Sequence, residues 1–390
     1  MPVCVVGYGS IDVLDNNSKD SFQKMLDNKD YVRDLPVMQD YQINKGYLVD
    51  ESNIVLPNDF KPRSLTKEQL LAMHAANQAL LHSGLPIVSD VATIVSSTTS
   101  EGSFVETGYE RVLQDKKVMP RKIFNKITDM ITFHIANHWG FQGFSTSVAA
   151  ACATGLVSID YAMRLVDEYE YVVVGCSDAG CYPLAIKCFN QIGAISNSNK
   201  PFDDNRSGFV MGEGAGVLIL QSEKKANEYN STIHAKLYPT GHASEGVSLT
   251  APSEDGRGAK ASLSKALKNA NYPQIDAVCS HGTSTPVGDP IEYLATCELV
   301  SDAKIWAPKS KVGHTIAAAG ILETIYCIES MKNKVIPHIQ NLENCSFDID
   351  KRLAWDNSIL ASKKKYYMVN NSFGFGGKNM SQVIECEETK

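Results

Sequence analysis

The chain has 390 residues, of which 43% are hydrophobic and 21% are charged, a composition typical of a globular protein. Its length would suit two or three domains or one large α/β unit. Its 37 basic residues are outnumbered by 44 acidic ones, and the net charge of −7 argues against nucleic acid or an anionic membrane as a partner. The ten cysteines show no CxxC pair and no regular spacing, which argues against a disulfide framework and a zinc site.

The first residues and the apolar runs of the sequence bear on the cellular compartment and on membrane insertion. The first residues, "MPVCVVGYGSIDVLDNN", carry no positive leader before their short apolar run, so we expect no secretory signal. No apolar run approaches the ~18 residues that a membrane span needs. Because unpaired cysteines suit a reducing compartment, the sequence predicts a cytoplasmic protein without a membrane span.

Hydrophobic periodicity in the first half predicts alternating strands and helices. In chain order these are a strand with a glycine turn at 3–11, a helix at 65–84 and a strand that leads into a polar loop at 91–99. A helix at 128–140 and strands at 171–180 and 212–222 follow. The helix at 65–84 has the clearest ends, because Thr66 can cap it with Gln69 at the capping-box position and Gly84 can stop it. The polar stretch 223–232 is predicted to be a connector.

The second half repeats this pattern after the connector. It is predicted to contain a strand at 233–241, a helix at 258–271 and a strand that runs into a loop at 275–285. A helix at 321–334 and a strand with a glycine-rich tail at 365–377 follow. Buried strands that alternate with amphipathic helices indicate layers of an α/β fold. The two halves are similar in kind, although the sequence alone demonstrates no repeat.

One cysteine stands among very small residues, in "VAAACATGLVSIDYAM" (148–163). The preceding "GFSTSVAAA" suits a strand and the following residues suit a helix, so Cys152 would lie at a helix N-terminus. Backbone N–H groups and the helix dipole favour a thiolate there, and small neighbours allow a sharp turn and the approach of an acyl group. A buried structural cysteine is the alternative, and this motif alone leaves both interpretations open.

Two histidines and a lysine occur in similar junctions. His281 ends an apolar strand in "SHGTSTPVGDP" (280–290), and His314 follows Lys309 in "PKSKVGHTIAAAG" (308–320). A single histidine is more often structural than catalytic. A thiol, two imidazoles and a lysine at such junctions together predict a nucleophilic site.

These motifs, taken in order, resemble those of the β-ketoacyl-[acyl carrier protein] synthases, elongating ketosynthases of bacterial type in the thiolase superfamily. The resemblance is carried by "ACATG" around Cys152, "KPFDDNRSGFVMGEGAGVLIL" (200–220), "TAPSEDGRGA" (250–259), the two histidine motifs and "NSFGFGG" (371–377). It implies a thiolase-like α/β fold of five layers, α-β-α-β-α, built from two similar halves. Residues 1–228 would form the half with the cysteine, and 229–390 the half with both histidines, sharing one core.

The resemblance also implies a role for each residue of the predicted site. Cys152 would carry the acyl chain as a thioester, and His281 and His314 would stabilise the enolate that forms when malonyl-carrier protein loses CO₂. Lys309 would position the second histidine and favour anions. Thr283 and Thr285, which alternate along an extended segment, would bind the malonyl carboxylate.

Further residues match the family pattern with supporting roles. The N–H groups of Cys152 and Phe375 would form an oxyanion hole, and Phe375 with Gly376 would gate the acyl pocket. Support is expected from Glu323 and Phe373, and structural ion pairing from Asp204, Arg206, Glu213 and Asp289. Docking of the acidic carrier protein is expected at three cations, Arg121, Lys122 and Lys126. The chain departs from the family pattern at Lys378, where a small hydroxyl residue is usual.

The implied reaction is a decarboxylative Claisen condensation that yields a β-ketoacyl-carrier protein, with no cofactor and no metal. The expected assembly is a homodimer or a heterodimer with a chain-length factor. A chain-length factor itself would lack the nucleophile, and an initiating synthase would have asparagine in place of His314. A thiolase would have a second cysteine near the C-terminus, in the region that reads "NSFGFGG" here. Acyl chain length and the choice between fatty acid, polyene and polyketide pathways remain open.

Overall fold

The protein is described by a computed structural model over residues 1–39, 41–62, 65–98, 102–118, 127–348 and 351–388. The helices are α1 (Ser18–Met25), α2 (Lys67–Ser83), α3 (Gly102–Leu113), α4 (Met130–Trp139), α5 (Thr154–Met163), α6 (Pro183–Gln191), α7 (Glu223–Glu228), α8 (Arg257–Asn269), α9 (Gly288–Leu299), α10 (Lys309–Val312) and α11 (Ala319–Asn333). The strands are β1 (Val3–Ile11), β2 (Arg33–Asp34), β3 (Lys45–Gly46), β4 (Val91–Ser96), β5 (Ser145–Thr146), β6 (Tyr171–Ala179), β7 (Glu213–Gln221), β8 (Ala235–Leu237), β9 (Gly241–Ser244), β10 (Ala277–Cys279), β11 (Lys304–Trp306), β12 (Val335–Ile336), β13 (Ser358–Ile359), β14 (Lys365–Gly374) and β15 (Lys378–Glu387).

The main sheet contains a repeat that the sequence did not reveal. Its strands follow the order β11-β10-β14-β15-β8-β1-β7-β6-β4-β5, and β9 pairs with β15. From β1 outward the pairings run antiparallel, antiparallel, parallel, parallel. From β8 outward they run in the same sequence of directions. The antiparallel pair β1–β8 joins these two halves of equal topology.

Helices cover and separate the two sets of strands. Helix α2 packs on β1, β6 and β7, and α8 packs on β9 and β15, so these helices form outer layers. Helices α5 and α11 contact strands of both halves and form the central layer. Helix α11 is buried from Ala319 to Met331, as expected for a helix with strands on two sides. The arrangement confirms the five layers and the two similar halves, whereas the division at residues 228 and 229 stays a prediction.

The predicted elements all exist, and several are shorter than the apolar patterns suggested. Helix α2 begins as predicted, with the Gln69 side chain accepting the Thr66 N–H at 3.1 Å, and it ends at Gly84 with φ of 62°. In the predicted strand-to-loop segment 275–285 the strand ends at Cys279, and the chain then turns through Gly282 and Ser284 with φ of 37° and 62°. The predicted connector 223–232 lies between β7 and β8 and contains the short helix α7.

Within the described parts of the chain, we find no helix that is both long enough and apolar enough to cross a membrane.

Candidate active site

The nucleophile turn is formed by the small residues around Cys152. Residues Ala151–Ala153 make a single 3₁₀ turn ahead of α5, and Ala151 has φ of 48°, a strained value for a residue other than glycine. The Thr154 hydroxyl fixes the turn, because it accepts the Ala150 N–H at 2.8 Å and donates to the Ala151 carbonyl at 2.7 Å. Cys152 therefore lies at the N-terminal end of α5, as the sequence predicted, although only Ser145–Thr146 of the preceding segment form a strand.

Two glycines bring the nucleophile turn close to its neighbours. A Cβ atom on Gly155 would lie 2.8 Å from the Ile321 nitrogen, so this glycine lets α5 approach α11. A Cβ atom on Gly374 would lie 2.6 Å from the Ala150 carbonyl oxygen. The end of β14 is therefore held directly against the turn that carries Cys152.

His281 is held at the end of β10 by a buried carboxylate. The carboxylate of Glu292, on α9, accepts the His281 N–H at 2.7 Å and the Gly282 N–H at 2.9 Å. In the side chain, Nδ1 of His281 lies 3.4 Å from the Lys309 ammonium nitrogen. Because lysine only donates, Nδ1 accepts and the proton of the neutral ring is on Nε2.

The backbone of His314 is held by the segment that leads into β7. Its N–H donates to the Val210 carbonyl at 2.8 Å, and its carbonyl accepts the Gly212 N–H at 3.0 Å. Its Nδ1 accepts the N–H of Ile316 at 3.2 Å, so the proton is again on Nε2. This Nε2 is buried and has no hydrogen-bond partner among the described residues. A donor in this state awaits an acceptor from outside the chain.

A buried ion pair lies behind the histidines. The Lys309 ammonium lies 2.5 Å from a Glu323 carboxylate oxygen, with the two side chains only 1% and 2% exposed. Burial raises the pKa of the Glu323 carboxyl to about 7, against the lowering effect of the Lys309 charge. The lysine thus reaches from the carboxylate to the His281 ring, and Glu323 supplies its counter-charge inside the core.

The three reactive groups form one tight triangle. The sulfur of Cys152 and a ring nitrogen of each histidine lie within 4.8 Å of one another, and the imidazole rings are nearly perpendicular at 84°. Burial, then the Lys309 charge, lowers the pKa of His281 and of His314 well below 6.5, so both rings are neutral donors at neutral pH. Burial raises the pKa of the Cys152 thiol to about 12, while Lys309 and the N–H groups of Phe375 and Cys152 act in the opposite direction. The N–H groups at this turn thus favour the thiolate as predicted, while burial of the sulfur acts against it.

A cavity of about 360 Å³ leads to this triangle, and the terminal glycine-rich motif forms part of its wall. Phe373 and Phe375 line it, and the Phe373 ring lies 5.8 Å from the His281 ring. Gly376, with φ of 79°, makes the turn between β14 and β15 and donates its N–H to the Leu249 carbonyl at 2.8 Å. Lys378 is exposed at the start of β15 and pairs with Gly374 across the hairpin.

The threonine loop lies in the same cavity wall. The hydroxyls of Thr283 and Thr285 are 3.2 Å apart, and both residues line the cavity. The Arg206 guanidinium supports this loop through the carbonyls of Thr285 (3.0 Å) and Pro286 (2.7 Å). The Asp289 carboxylate accepts the Phe202 N–H at 2.7 Å. Both charged groups serve the backbone here and do not form an ion pair.

Comparison with known proteins identifies the family. Residues 1–226 match the sequence model of "Beta-ketoacyl synthase, N-terminal domain", and residues 234–343 match that of "Beta-ketoacyl synthase, C-terminal domain". The chain belongs to the β-ketoacyl synthase family.

Relatives and solved structures match this family member over 80% or more of its chain. A 3-oxoacyl-[acyl-carrier-protein] synthase homolog of Saccharomyces cerevisiae is 29% identical over 98% of both chains. The 3-oxoacyl-[acyl-carrier-protein] synthase 2 of Vibrio harveyi is 30% identical over 80% of both. A crystal structure of a Beta-ketoacyl synthase from Burkholderia phymatum has a TM-score of 0.85 at 25% identity and covers 100% of both chains. The ishigamide ketosynthase/chain length factor has a TM-score of 0.88 at 24% identity, covering 100% of this chain and 99% of that one. The fold is therefore the thiolase-like fold of the ketosynthases.

The set of one cysteine and two histidines in this ketosynthase has the composition of a metal site, yet its hydrogen bonds do not fit one. A histidine that binds a metal normally donates its other ring N–H to a carboxylate or carbonyl. In this site the second nitrogen of each ring accepts from Lys309 or from the Ile316 N–H. Both Nε2 atoms therefore carry protons, which suits the binding of an oxyanion and not of a metal ion.

The remaining predicted residues lie outside this triangle. The Glu213 carboxylate pairs with the Lys67 ammonium at 2.7 Å, and Asp204 accepts the Ser346 N–H at 3.0 Å. The predicted docking cations, Arg121, Lys122 and Lys126, fall outside the described residues.

Two supporting carboxylates of the ketosynthase site were missed at the sequence level. Glu292 holds the backbone at His281, and Asp178 accepts the Ala317 N–H at 2.7 Å while it also binds the Ser97 hydroxyl at 2.6 Å. Glu292 stands in "GDPIEY", and its place three residues after Asp289 on a helix gave a usable signal. Asp178 ends a buried strand, where a charged residue is unusual without a partner.

Proposed function

We propose that the chain catalyses the decarboxylative condensation of an acyl chain, held on Cys152, with malonyl-acyl carrier protein. One observation carries this proposal: a single thiol and two neutral imidazoles, each with its proton on Nε2, meet at the end of one cavity. The thiol offers the nucleophile, and the two N–H donors offer a site for a developing oxyanion. The complete set also disfavours a chain-length factor, which would lack the nucleophile.

In the first half-reaction, the Cys152 sulfur attacks the carbonyl carbon of an acyl thioester on the carrier protein. The N–H groups of Cys152 and Phe375, which act on the Cys152 sulfur, would bind the oxygen of the tetrahedral intermediate. The carrier thiolate then leaves and takes up the proton that the Cys152 thiol gives. The exchange is therefore balanced in protons and needs no external base.

In the second half-reaction, malonyl-carrier protein loses CO₂ and leaves an enolate. Its oxygen would accept the Nε2–H groups of His281 and His314, while Thr283 and Thr285 would bind the malonyl carboxylate before it departs. The enolate carbon attacks the thioester on Cys152, the C–S bond breaks, and the β-ketoacyl-carrier protein is released. Lys309 and Glu323 act through His281, because the ammonium holds its Nδ1 and the carboxylate balances the buried charge.

We further propose an acidic acyl carrier protein as the macromolecular partner, with the basic segment 121–126 as its docking surface. The assembly is proposed to be a homodimer or a heterodimer with a chain-length factor. All ten cysteines are free, which fits the proposed cytoplasmic location. Whether the product enters fatty acid, polyene or polyketide synthesis depends on the acyl chain that the pocket accepts.

The test separates the two half-reactions with variants Cys152→Ala and His314→Ala. Intact-mass measurement with acyl-carrier proteins should show an added acyl group on the wild type and on His314→Ala, but none on Cys152→Ala. His314→Ala should condense more slowly by roughly 10²–10³-fold, as expected for the loss of one oxyanion donor.

Glu254 is an exposed carboxylate on the loop between β9 and α8. Its variant Glu254→Gln is the matched control and should behave as the wild type. Acyl loading of the Cys152→Ala protein would contradict the role of the thiol. Near-normal condensation by His314→Ala would contradict the role of the imidazoles.

A further inference from the structure

One buried carboxylate beside the active site has no part in the proposed reaction. Asp178 lies near the end of β6 and is inaccessible to solvent. Its Oδ1 accepts the Ser97 hydroxyl at 2.6 Å and the Thr98 N–H at 3.0 Å. Its Oδ2 accepts the Thr98 hydroxyl at 2.9 Å and the Ala317 N–H at 2.7 Å. The carboxylate thus ties the ends of β4 and β6, in the first half, to the turn before α11, in the second half.

The turn that Asp178 holds is the one that orients His314. Residues Ile316–Ala318 form this 3₁₀ turn, and Ile316 has φ of 46°, a strained value for a β-branched residue. The Ile316 N–H donates to Nδ1 of His314 at 3.2 Å, and the next N–H, that of Ala317, donates to Asp178. A strained turn persists only where its surroundings hold it. Loss of the Asp178 contact would therefore let the turn relax and draw the Ile316 N–H away from the His314 ring.

The repeat in the fold shows why a carboxylate stands at this point. Strands β6 and β14 hold the same place in the two halves. At the end of β14, Gly374 packs on the nucleophile turn, where a Cβ atom would lie 3.3 Å from the Cys152 nitrogen. At the end of β6, Asp178 binds the Ala317 nitrogen of the corresponding turn. The proposed reaction gives the Cys152 N–H to a substrate oxygen, whereas a carboxylate of the chain itself occupies the Ala317 N–H.

We propose that Asp178 is a positioning residue for condensation, which holds the strained turn before α11 so that His314 keeps its Nε2–H directed at the enolate oxygen. The inference rests on the proposed function, in which His314 stabilises that enolate. Acyl loading should not depend on Asp178 in this way. Burial is the main cause that raises the pKa of the Cys152 thiol, and the negative charge of Asp178 acts in the same direction. A carboxylate that served only the packing of the core would affect both half-reactions alike.

The test measures the two half-reactions separately in Asp178→Asn and Asp178→Ala. The amide keeps the shape of the carboxylate, but its single oxygen cannot accept from both backbone N–H groups, those of Thr98 and Ala317. Alanine removes both oxygens. Intact-mass kinetics should show that Cys152 loads an acyl group at least as fast as in the wild type. Transfer of the loaded acyl group to malonyl-carrier protein should slow roughly tenfold in Asp178→Asn and up to roughly 10²-fold in Asp178→Ala, as expected for a misplaced catalytic group.

Histidine NMR supplies a readout that a loss of stability would not change. In the ¹⁵N-histidine-labelled Asp178 variants, His314 should exchange between its two tautomers, because the N–H that fixes its Nδ1 is released. His281 should keep its Nε2–H, since its Nδ1 still faces the Lys309 ammonium.

Asp348→Asn is the matched control. Asp348 is also a buried carboxylate, which accepts the Arg352 N–H at 2.8 Å and the Trp355 indole N–H at 2.7 Å, and it is not among the residues that line the cavity. Its variant should leave the ratio of the condensation rate to the loading rate, and both histidine tautomers, unchanged.

Three results would overturn the proposal. These are near-normal condensation by Asp178→Ala, an equal slowing of loading and condensation in a folded Asp178 variant, and an unchanged His314 tautomer in both variants. If circular dichroism shows that Asp178→Ala does not fold, the same comparison on Asp178→Asn decides the matter. Failure of the wild type to load any acyl group would instead overturn the proposed function.

Discussion

At the scale of single residues, hydrogen bonds decide which ring nitrogen of each active-site histidine carries the proton. Nδ1 of His281 faces the Lys309 ammonium at 3.4 Å, and Nδ1 of His314 faces the Ile316 N–H at 3.2 Å. Both partners only donate, and burial keeps both rings neutral, so each Nε2 is a fixed donor. Preorganised donors of this kind need no rearrangement when negative charge develops.

This assignment predicts a spectroscopic result. In protein labelled with ¹⁵N-histidine, His281 and His314 should show a pyrrole-type Nε2 and a pyridine-type Nδ1 from about pH 6 to about pH 8, because their pKa values are lowered below 6.5. Lys309→Met should let His281 exchange between tautomers while His314 keeps Nε2–H. A protonated Nδ1 on either ring of the wild type would contradict the assignment.

The residues of the site differ in how far the sequence could predict them. Cys152, His281 and His314 stand in short motifs, so their proximity followed from the resemblance. Glu292 left one signal, its place three residues after Asp289, but its contact with the His281 backbone depends on how α9 packs beside the end of β10. The protonation state of Cys152 could not be predicted either, because the cost of burial depends on the packing of the whole core.

At the scale of elements, the two central helices begin in the same way. A 3₁₀ turn with a residue at positive φ precedes each: Ala151 at 48° before α5, and Ile316 at 46° before α11. A glycine follows in each first turn, as "ATG" (153–155) and "AAG" (318–320). The cysteine of one half thus corresponds to Ala317 in the other, and the close contact of the helix ends brings the Cys152 turn near the His314 turn.

Gly155→Ala tests this contact. Alanine is the better helix former by about 1 kcal/mol, but its Cβ would lie 2.8 Å and 2.9 Å from backbone atoms of Ile321 and Gly320. Overpacking against backbone typically costs about 1–3 kcal/mol, so the free energy of unfolding should fall in denaturant titrations. Gly246→Ala, in open space and without a positive φ, should stay within about 0.5 kcal/mol of the wild type. If Gly155→Ala were as stable as the wild type, α5 and α11 would be able to move apart without a loss in the free energy of unfolding.

Helices and strands could be predicted where a single hydrophobic periodicity, helical or alternating, dominated the sequence. Strand β15 was missed because its polar residues are buried with partners: Ser381 binds Asn371 at 2.8 Å, and Gln382 donates to the Tyr238 carbonyl at 3.1 Å. Satisfied polar side chains of this kind remove the apolar run that marks a central strand. Helix α9 was not predicted. It begins at Gly288 and contains Pro290 in its first turn, where proline is tolerated.

At the scale of the whole molecule, the repeated topology gives each half one outer edge. Both halves place their site residues at strand ends or helix starts that converge on one cavity, so neither half holds a complete site. At the outer edge of the first half, β5 pairs with β4 on one side and with no described strand on the other. An open edge strand is a ready surface for association.

Exposed aromatic residues surround this open edge and lead to the last prediction. Phe144 and Tyr161 are 40% and 37% exposed with rings 5.9 Å apart, and Phe133 is 49% exposed. If the second subunit of the proposed dimer covers this edge, Phe144→Glu buries a charge there and should raise the dissociation constant of the dimer at least roughly tenfold. Light scattering after gel filtration, over a dilution series, measures the change.

The control for this edge is Tyr272→Glu, which places the same charge at a residue 64% exposed just after α8, far along the chain from β5. It should leave the dissociation constant unchanged, because exposed substitutions away from an interface have small effects. Equal weakening by both variants would mean that general acidic charge drives the dissociation. The wild-type chain could instead be monomeric alone and dimeric only with a chain-length factor. In that case the same edge would form the heterodimer interface, and Phe144→Glu should block that assembly.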